Sequence, residues 1–314
     1  MSGASRLVCL DTVLIDVELR VSAFPPHAGD VRALEQLVTT GGGFNAMSAA
    51  SRHHLHADYA GRLGTGPFSE IAAASLANEG IGMPIEAYGE LDAGICVVLV
   101  ESDGERTFIT APGAEGTLRA SDLASLDVGE GDYVLVSGYN VMYSGGAEMV
   151  LAWLGTLPAD TVVLFDPATR VSDIPPSNLD IVFDRATWLL CNAQEATQLA
   201  GIGDVVEAAE VLAAMNDRIS VVLRRGADGC VVALNHATAI TVEGFVTDVV
   251  DTNGAGDVHN GVFIAELASG HDALAAARWA NAAAAIAVGR LGPATSPTRE
   301  EVGAFIEPTS TTRS

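Results

Sequence analysis

The string Asp251-Thr252-Asn253-Gly254-Ala255-Gly256-Asp257 follows an apolar stretch, 245–250, and runs directly into a helical pattern over 258–267. Gly254, Ala255 and Gly256 carry little or no side chain, so a ligand can approach the backbone closely. At a helix start the peptide N–H groups lack intrahelical acceptors and the dipole end is positive. Such a turn is an anion hole, suited to a phosphate or to a transition state that gathers negative charge. Asp257, at the helix entrance, is placed to accept a proton from an attacking hydroxyl. Gly254, Ala255, Gly256 and Asp257 are therefore the candidate catalytic residues. A plain Gly-rich turn with Asp257 as a helix cap gives a similar local pattern. The full string is much more specific than G-x-G alone.

Composition narrows the chemistry. The 314 residues carry 40 acidic and 16 basic side chains, a net charge of −24. All the basic residues are arginine. Without lysine, neither a Walker A loop nor a protein-kinase strand lysine is available to hold phosphates. The acidity argues against nucleic acid as a partner, since a phosphate backbone needs basic stripes. Cys9, Cys96, Cys191 and Cys230 are far apart in the chain. That spacing reads as reduced, buried thiols and not as a zinc site. No run reaches the roughly 18 apolar residues of a membrane helix, and residues 1–11 show no signal-peptide pattern. The reading is a soluble, cytoplasmic protein with no membrane partner.

The elements that must position this turn follow from periodicity. Residues 6–10 read as a first buried strand. Residues 13–21 alternate apolar and polar, which predicts a sheet with one face wetter than the other. Gly41, Gly42 and Gly43 are expected to open a small-residue helix to about residue 51. A second helix is expected over 69–79, with Ile71 and Leu76 in its apolar stripe. Strands at 94–100 and 106–110 flank Ser102, Asp103, Gly104 and Glu105 as a hairpin turn. From residue 133 short apolar strands (133–137, 162–165, 188–191, 221–224) alternate with helices (147–154, 193–200, 205–215), the pattern of a mostly parallel sheet covered on both faces. An antiparallel pair, 229–234 and 239–242, and helices at 254–269, 273–290 and 298–306 complete the chain; 308–314 is expected to fray. The fold class is α/β, a doubly wound mostly parallel sheet with a small inserted sheet from about 13–22 and 94–110, in one domain spanning 1–314.

The string at 251–257 resembles the C-terminal signature of the ribokinase-like (PfkB-type) carbohydrate kinases, and the resemblance runs nearly end to end. Residues 7–16 resemble the family's first strand, with Asp16 at its sugar-binding aspartate; Asp11 and Leu14 stand where the family often has Gly and Asn. Gly41-Gly42-Gly43-Phe44-Asn45-Ala46 is similar to the N-terminal di-glycine signature, which implies substrate contacts from Gly41, Gly42 and Asn45. Asn192-Ala193-Gln194-Glu195 matches the N-x-x-E motif. Its implied role is to hold Mg²⁺ through water, with an ordinary N-cap at Asn192 as the bland alternative. The run 224–229 resembles a nucleotide-contacting turn and implies Arg224, Gly226 and Gly229 at the cofactor. Asn281 matches an adenine-side Asn. Asp251, Asn253, Val288, Leu291 and Ser296 fall where many members surround a monovalent cation, which implies K⁺ activation.

The resemblance thus implies ATP-dependent phosphorylation of a hydroxyl, a primary alcohol, on a small sugar, with ATP and Mg²⁺ as cofactors. It also implies that the inserted strands act as a lid and form a homodimer contact. Arg170, in Asp166-Pro167-Ala168-Thr169-Arg170, could meet an acidic sugar or a phosphate, or pair with Asp166 or Asp173. His259 reads as a packed helix residue; His53, His54 and His56 read as surface. A nucleoside kinase of the same fold and a non-catalytic sugar or nucleotide sensor remain alternatives. A Rossmann dehydrogenase does not, because no G-x-G-x-x-G follows the first strand.

Overall fold

The computed structural model describes residues 5–101, 106–142, 146–292 and 295–307. The expected hairpin turn at 102–105 and the tail 308–314 lie outside the described residues. Among the described residues twelve strands form two sheets: β1 Leu7–Leu10, β2 Val13–Arg20, β3 Glu35–Gly42, β4 Ala57–Tyr59, β5 Ile95–Val100, β6 Arg106–Ala111, β7 Tyr133–Ser137, β8 Val162–Asp166, β9 Trp188–Asn192, β10 Ser220–Arg224, β11 Cys230–Ala233 and β12 Ile240–Val242. The larger sheet runs β12-β11-β10-β9-β8-β7-β1-β4. β4 through β10 in that order pair in parallel, and β11 and β12 add an antiparallel edge.

The apolar runs of β1 and β7 through β10 are continuous because both sheet faces are covered. Successive residues alternate between two cores. Leu7, Cys9, Leu135, Leu164, Leu190 and Val222 pack on the side of helices Gly43–Arg52, Ala255–Ala268 and Ala273–Val288. Val8, Leu10, Val136, Phe165, Leu189 and Leu223 pack on the side of helices Ala147–Leu154, Pro176–Arg185 and Val205–Ala213.

The smaller sheet, order β3-β2-β5-β6, joins β2 to β5 in parallel and is otherwise antiparallel. It has one strand more than the three expected from its two segments, because β3 is present. β3 has an exposed, weakly apolar pattern in its first half, as an edge strand does, so periodicity did not mark it. As a consequence Gly41 and Gly42 end a strand, and the helix starts at Gly43. Helix Pro67–Asn78 buries Leu76 but leaves Ile71 exposed. Helix Pro176–Arg185 was not marked by the sequence pattern either. His53 is buried, not at the surface: its Nδ1 lies 2.9 Å from Glu266 Oε1, which also binds Arg299. Among the described residues no helix is long and apolar enough to cross a membrane.

One close contact positions the site. Helices Gly43–Arg52 and Ala255–Ala268 cross at Gly261, where an added Cβ would stand 2.1 Å from the Ala46 carbonyl oxygen and 2.8 Å from the Ala49 methyl. Backbone cannot yield cheaply, so only glycine allows this approach. Gly261→Val is expected to destabilise the fold by about 2 kcal/mol through overpacking. Thermal melting of the variant against the parent checks this; an unchanged melting temperature would contradict the contact.

Candidate active site

Parallel strands deliver a polar residue each to one end of the large sheet. Ser137, Asp166, Asn192 and Arg224 are the last residues of β7, β8, β9 and β10, and Asp11 follows β1. All five line a cleft of about 910 Å³ that also takes in Asp16, Gly42, Asn45, Gly254, Gly256, Asp257 and Asn260. This is the carboxyl edge of an open α/β sheet, where such folds bind ligands. The smaller sheet closes the other wall with Leu14, Cys96, Phe108 and Thr110.

The turn before helix Ala255–Ala268 opens into the cleft. Gly254 takes the left-handed conformation at φ 74°, and its Cα faces the Asn45 amide closely enough that a Cβ would fall 3.0 Å from Nδ2. The first full helical bond is Val258 N–H to Gly254 O at 2.9 Å; Ala255 N–H makes only a 3.3 Å contact to Thr252 O. Gly256 and Asp257 N–H precede the helical ladder, as the first donors of a helix must. The Asp257 carboxylate accepts from Asn45 Nδ2 at 3.2 Å. Asn45 itself is 2% exposed, held by the helix crossing described above.

Burial, then the nearby charges of Asp11 and Asp166, push the Asp257 carboxyl up to about 8; the Asn45 hydrogen bond and Arg224 pull the other way. Arg224 is the cation of this cluster. It donates to Asp166 Oδ2 at 3.2 Å and to Asn260 Oδ1, and stands 3.9 Å from Glu195 Oε2; Asn260 Nδ2 closes the ring to Asp166 at 2.6 Å. Asn192 and Glu195 form a reciprocal capping box, with Glu195 N–H donating to Asn192 Oδ1 at 2.9 Å and Asn192 N–H to Glu195 Oε2 at 2.8 Å. Burial and Asp166 raise the Glu195 carboxyl. Gly226 and Gly229, at φ 61° and 79°, shape the turn after β10, beside a second hollow of about 500 Å³ lined by Asn192, Arg224, Arg225 and Gly226.

On the smaller sheet's side, Asp16 lies against Gly41, where an added Cβ would fall 2.2 Å from Asp16 Oδ2. Burial raises Asp16 to about 6, opposed by a hydrogen bond from the Asn253 side chain. Asp11 is raised to a similar value, by burial first, although it accepts from Thr12 N–H at 2.7 Å. Asp11, Asp166 and Asn260 were not assigned to the site from the sequence. For Asp11 and Asp166, their place at the ends of buried apolar strands was the signal that could have found them.

Other expected residues sit elsewhere. Arg170 lines the rim and pairs with Asp173, Nε to Oδ2 at 2.8 Å. Asn281 is 6% exposed and is not a cleft residue: it donates to the Val242 and Glu243 carbonyls at 3.0 and 3.1 Å and faces His259 Nε2 at 3.1 Å. His259 is buried and lowered to about 3, first by burial, which suits packing and not acid catalysis.

Asp166 and Glu195 suit a Mg²⁺ ion held through water, whereas three of the five residues expected around a monovalent cation have their oxygens already engaged. Asp166 and Glu195 bring carboxylates to the cleft, yet among the described residues no group of three His, Cys, Asp or Glu could hold a metal. That is a donor set for an ion held largely by water and phosphate. The expected cation loop is different. The Val288 carbonyl already accepts from Val250 and Asp251 N–H at 2.8 and 3.0 Å, both its lone pairs. The Ser296 carbonyl accepts from Arg52, and the Asp251 carboxylate is paired with Arg106.

A model of the pfkB family carbohydrate kinases matches residues 4–300. The chain belongs to that family. It is 32% identical to the sugar kinase YegV of Escherichia coli (strain K12), covering 96% of this chain and 94% of that protein. It is 30% identical to the ATP-dependent ribose-1-phosphate kinase of Halopiger xanaduensis, covering 96% and 98%. Its fold is similar to that of ribokinase from Thermotoga maritima, with a TM-score of 0.81 at 26% identity, over 97% of this chain and 99% of that one. This pfkB-family protein is a carbohydrate kinase built on a mostly parallel sheet with a second, small sheet.

Because the Asn45 hydrogen bond favours the ionised form of Asp257, Asn45→Ala is expected to move its titration further above 8. Carbon NMR of labelled aspartate checks this; a downward move would contradict the geometry.

Proposed function

We propose that the cleft transfers the γ-phosphoryl group of ATP to a primary hydroxyl of a neutral sugar, with Asp257 as the base. The observation that carries the reading is the Asp257 carboxylate beside the Gly256 and Asp257 N–H groups of its own helix start, on a turn that lines one cleft. The acceptor hydroxyl would lie against Asp257, held by Asp16, Gly41, Gly42 and Asn45. Its oxygen attacks the γ-phosphorus, its proton passes to the Asp257 carboxylate, and the bond to the bridging oxygen breaks with its electrons leaving on ADP. The N–H groups of Ala255, Gly256 and Asp257 face the charge on the moving phosphoryl.

The raised pKa of Asp257 gives its carboxylate greater proton affinity than an exposed aspartate has, so it takes a proton more readily as the hydroxyl adds. Asn192, Glu195, Arg224, Gly226 and Gly229 line the nucleotide end. Mg²⁺, held by Asp166 and Glu195 through water, would supply charge neutralisation at the phosphates. The smaller sheet would serve as a lid that keeps water from the phosphoryl group. Ile109 and Val38 are exposed on it, which supports a homodimer through this sheet. The cysteines are free and buried, in keeping with a reducing cytoplasm.

Acidic side chains favour a neutral acceptor. Asp11, Asp16 and Glu115 line the acceptor end of the cleft, whereas Arg170, at the rim, is already paired with Asp173. A panel of pentoses, hexoses, ribose 1-phosphate and nucleosides, read as ADP release, tests this. A neutral sugar should give the highest kcat/KM; turnover confined to nucleosides would replace the reading, and none at all would favour a sensor.

Three outcomes follow for the active protein. Asp257→Asn should lower kcat by about 10³ or more while ADP affinity stays within about threefold. The active form is the ionised one, so kcat/KM should rise with pH and level off above about 8. A flat profile from pH 6 to 9 would contradict Asp257 as the base. Gly41→Ala, which presses on Asp16, should raise the acceptor KM about tenfold and leave that for ATP unchanged.

A further inference from the structure

Arg106 lies on β6 of the smaller sheet, yet its guanidinium ends at the signature turn. Nη1 donates to Thr252 Oγ1 at 2.6 Å and Nη2 pairs with the Asp251 carboxylate. Asp251 is 2% exposed, so its charge requires a partner. The rest of that carboxylate is also engaged: Oδ1 accepts from Asn253 N–H at 2.8 Å and Oδ2 from Gly292 N–H at 3.0 Å. A second buried carboxylate, Glu18 on β2, feels the charges of both Asp251 and Arg106 and has one oxygen, Oε2, with no hydrogen-bond donor. Arg20 Nε reaches its other oxygen at 3.6 Å.

We propose that Arg106 is a built-in cation: it occupies, from the smaller sheet, the electrostatic place that a monovalent metal ion would take beside Asp251, so that the anion-hole turn is ordered without one. Three of the five residues expected around such an ion have their oxygens engaged. Asp251 has its guanidinium and two backbone donors, the Val288 carbonyl has two N–H donors, and the Ser296 carbonyl has Arg52. The same ion pair ties the smaller sheet to the turn, and the consequence reaches the acceptor end through Asn253, whose N–H donates to Asp251 and whose side chain favours the charged form of Asp16. Arg106 is thus a positioning residue. Removing it would free Asp251 and Thr252 oxygens next to Glu18, an all-oxygen set suited to a hard cation.

The rate arm of the test rests on the kinase reading; the stability arm does not. Melting temperature and turnover are measured for the parent and for Arg106→Gln, each in KCl and in tetramethylammonium chloride at about 0.1 M, so that screening is equal. The parent should melt at the same temperature in both salts, and its rate should differ by less than about twofold. Arg106→Gln should melt lower in tetramethylammonium and recover in KCl, with its rate falling at least about tenfold and rising again with K⁺. Arg106→Lys, which keeps the charge, should lie between the two. K⁺-specific stabilisation or activation of the parent would overturn the proposal, as would a Gln variant that behaves like the parent in both salts. If Arg106→Gln does not fold, the parent's response to the two salts decides alone. If no acceptor is turned over, the kinase reading fails while the melting comparison still decides this one.

Discussion

A carboxylate is buried among other carboxylates at the start of a helix, and the rest of the cleft is arranged around that constraint. Asp257 lies near Asp11 and Asp166 in a poorly solvated place, which raises its proton affinity. Three features offset the burden: the positive end of helix Ala255–Ala268, the Asn45 amide and the Arg224 guanidinium. The last two are held by something outside the turn. Asn45 depends on the close helix crossing at Gly261, and Arg224 is fixed by its ring with Asp166 and Asn260. Separating these supports would leave a carboxylate too readily protonated to act as a base and too mobile to meet a hydroxyl in line.

The two sheets divide the work. The large sheet ends five strands in a row of polar residues, a rigid wall on which phosphates and their counter-ion can lie. The smaller sheet carries Asp16 and Arg106, so one element bears both the proposed acceptor contact and the ion pair to the signature turn. Small residues at the junction, Gly41, Gly254 and Gly256, keep the backbone open where the two halves of a reaction must meet. In a chain without lysine, arginines take every cationic post, and guanidinium geometry suits them to bridging two acceptors at once.

Much of this was legible in the sequence because it depends on local pattern. The parallel strands announced themselves as short apolar runs between helices, and the string from Asp251 to Asp257 carries its own geometry. What was hidden depends on distant pairing. β3 is an edge strand whose register is dictated by β2, and Gly41 and Gly42 were read as helix entry for want of it. The salt bridge from Arg106 spans 145 residues of chain and has no local signature. Asn281 was matched by position, yet its amide serves the backbone after β12. Asp11 read as a departure from a family pattern and turned out to be one of the charges that set Asp257.

The most direct measurement of the central claim is a crystal structure with ADP, Mg²⁺, aluminium fluoride and an accepted sugar. The account predicts the fluoride group within about 3 Å of the N–H groups of Ala255, Gly256 and Asp257. It also predicts a sugar hydroxyl between that group and the Asp257 carboxylate. A planar fluoride bound away from this turn, or an Asp257 side chain directed away from the hydroxyl, would contradict it.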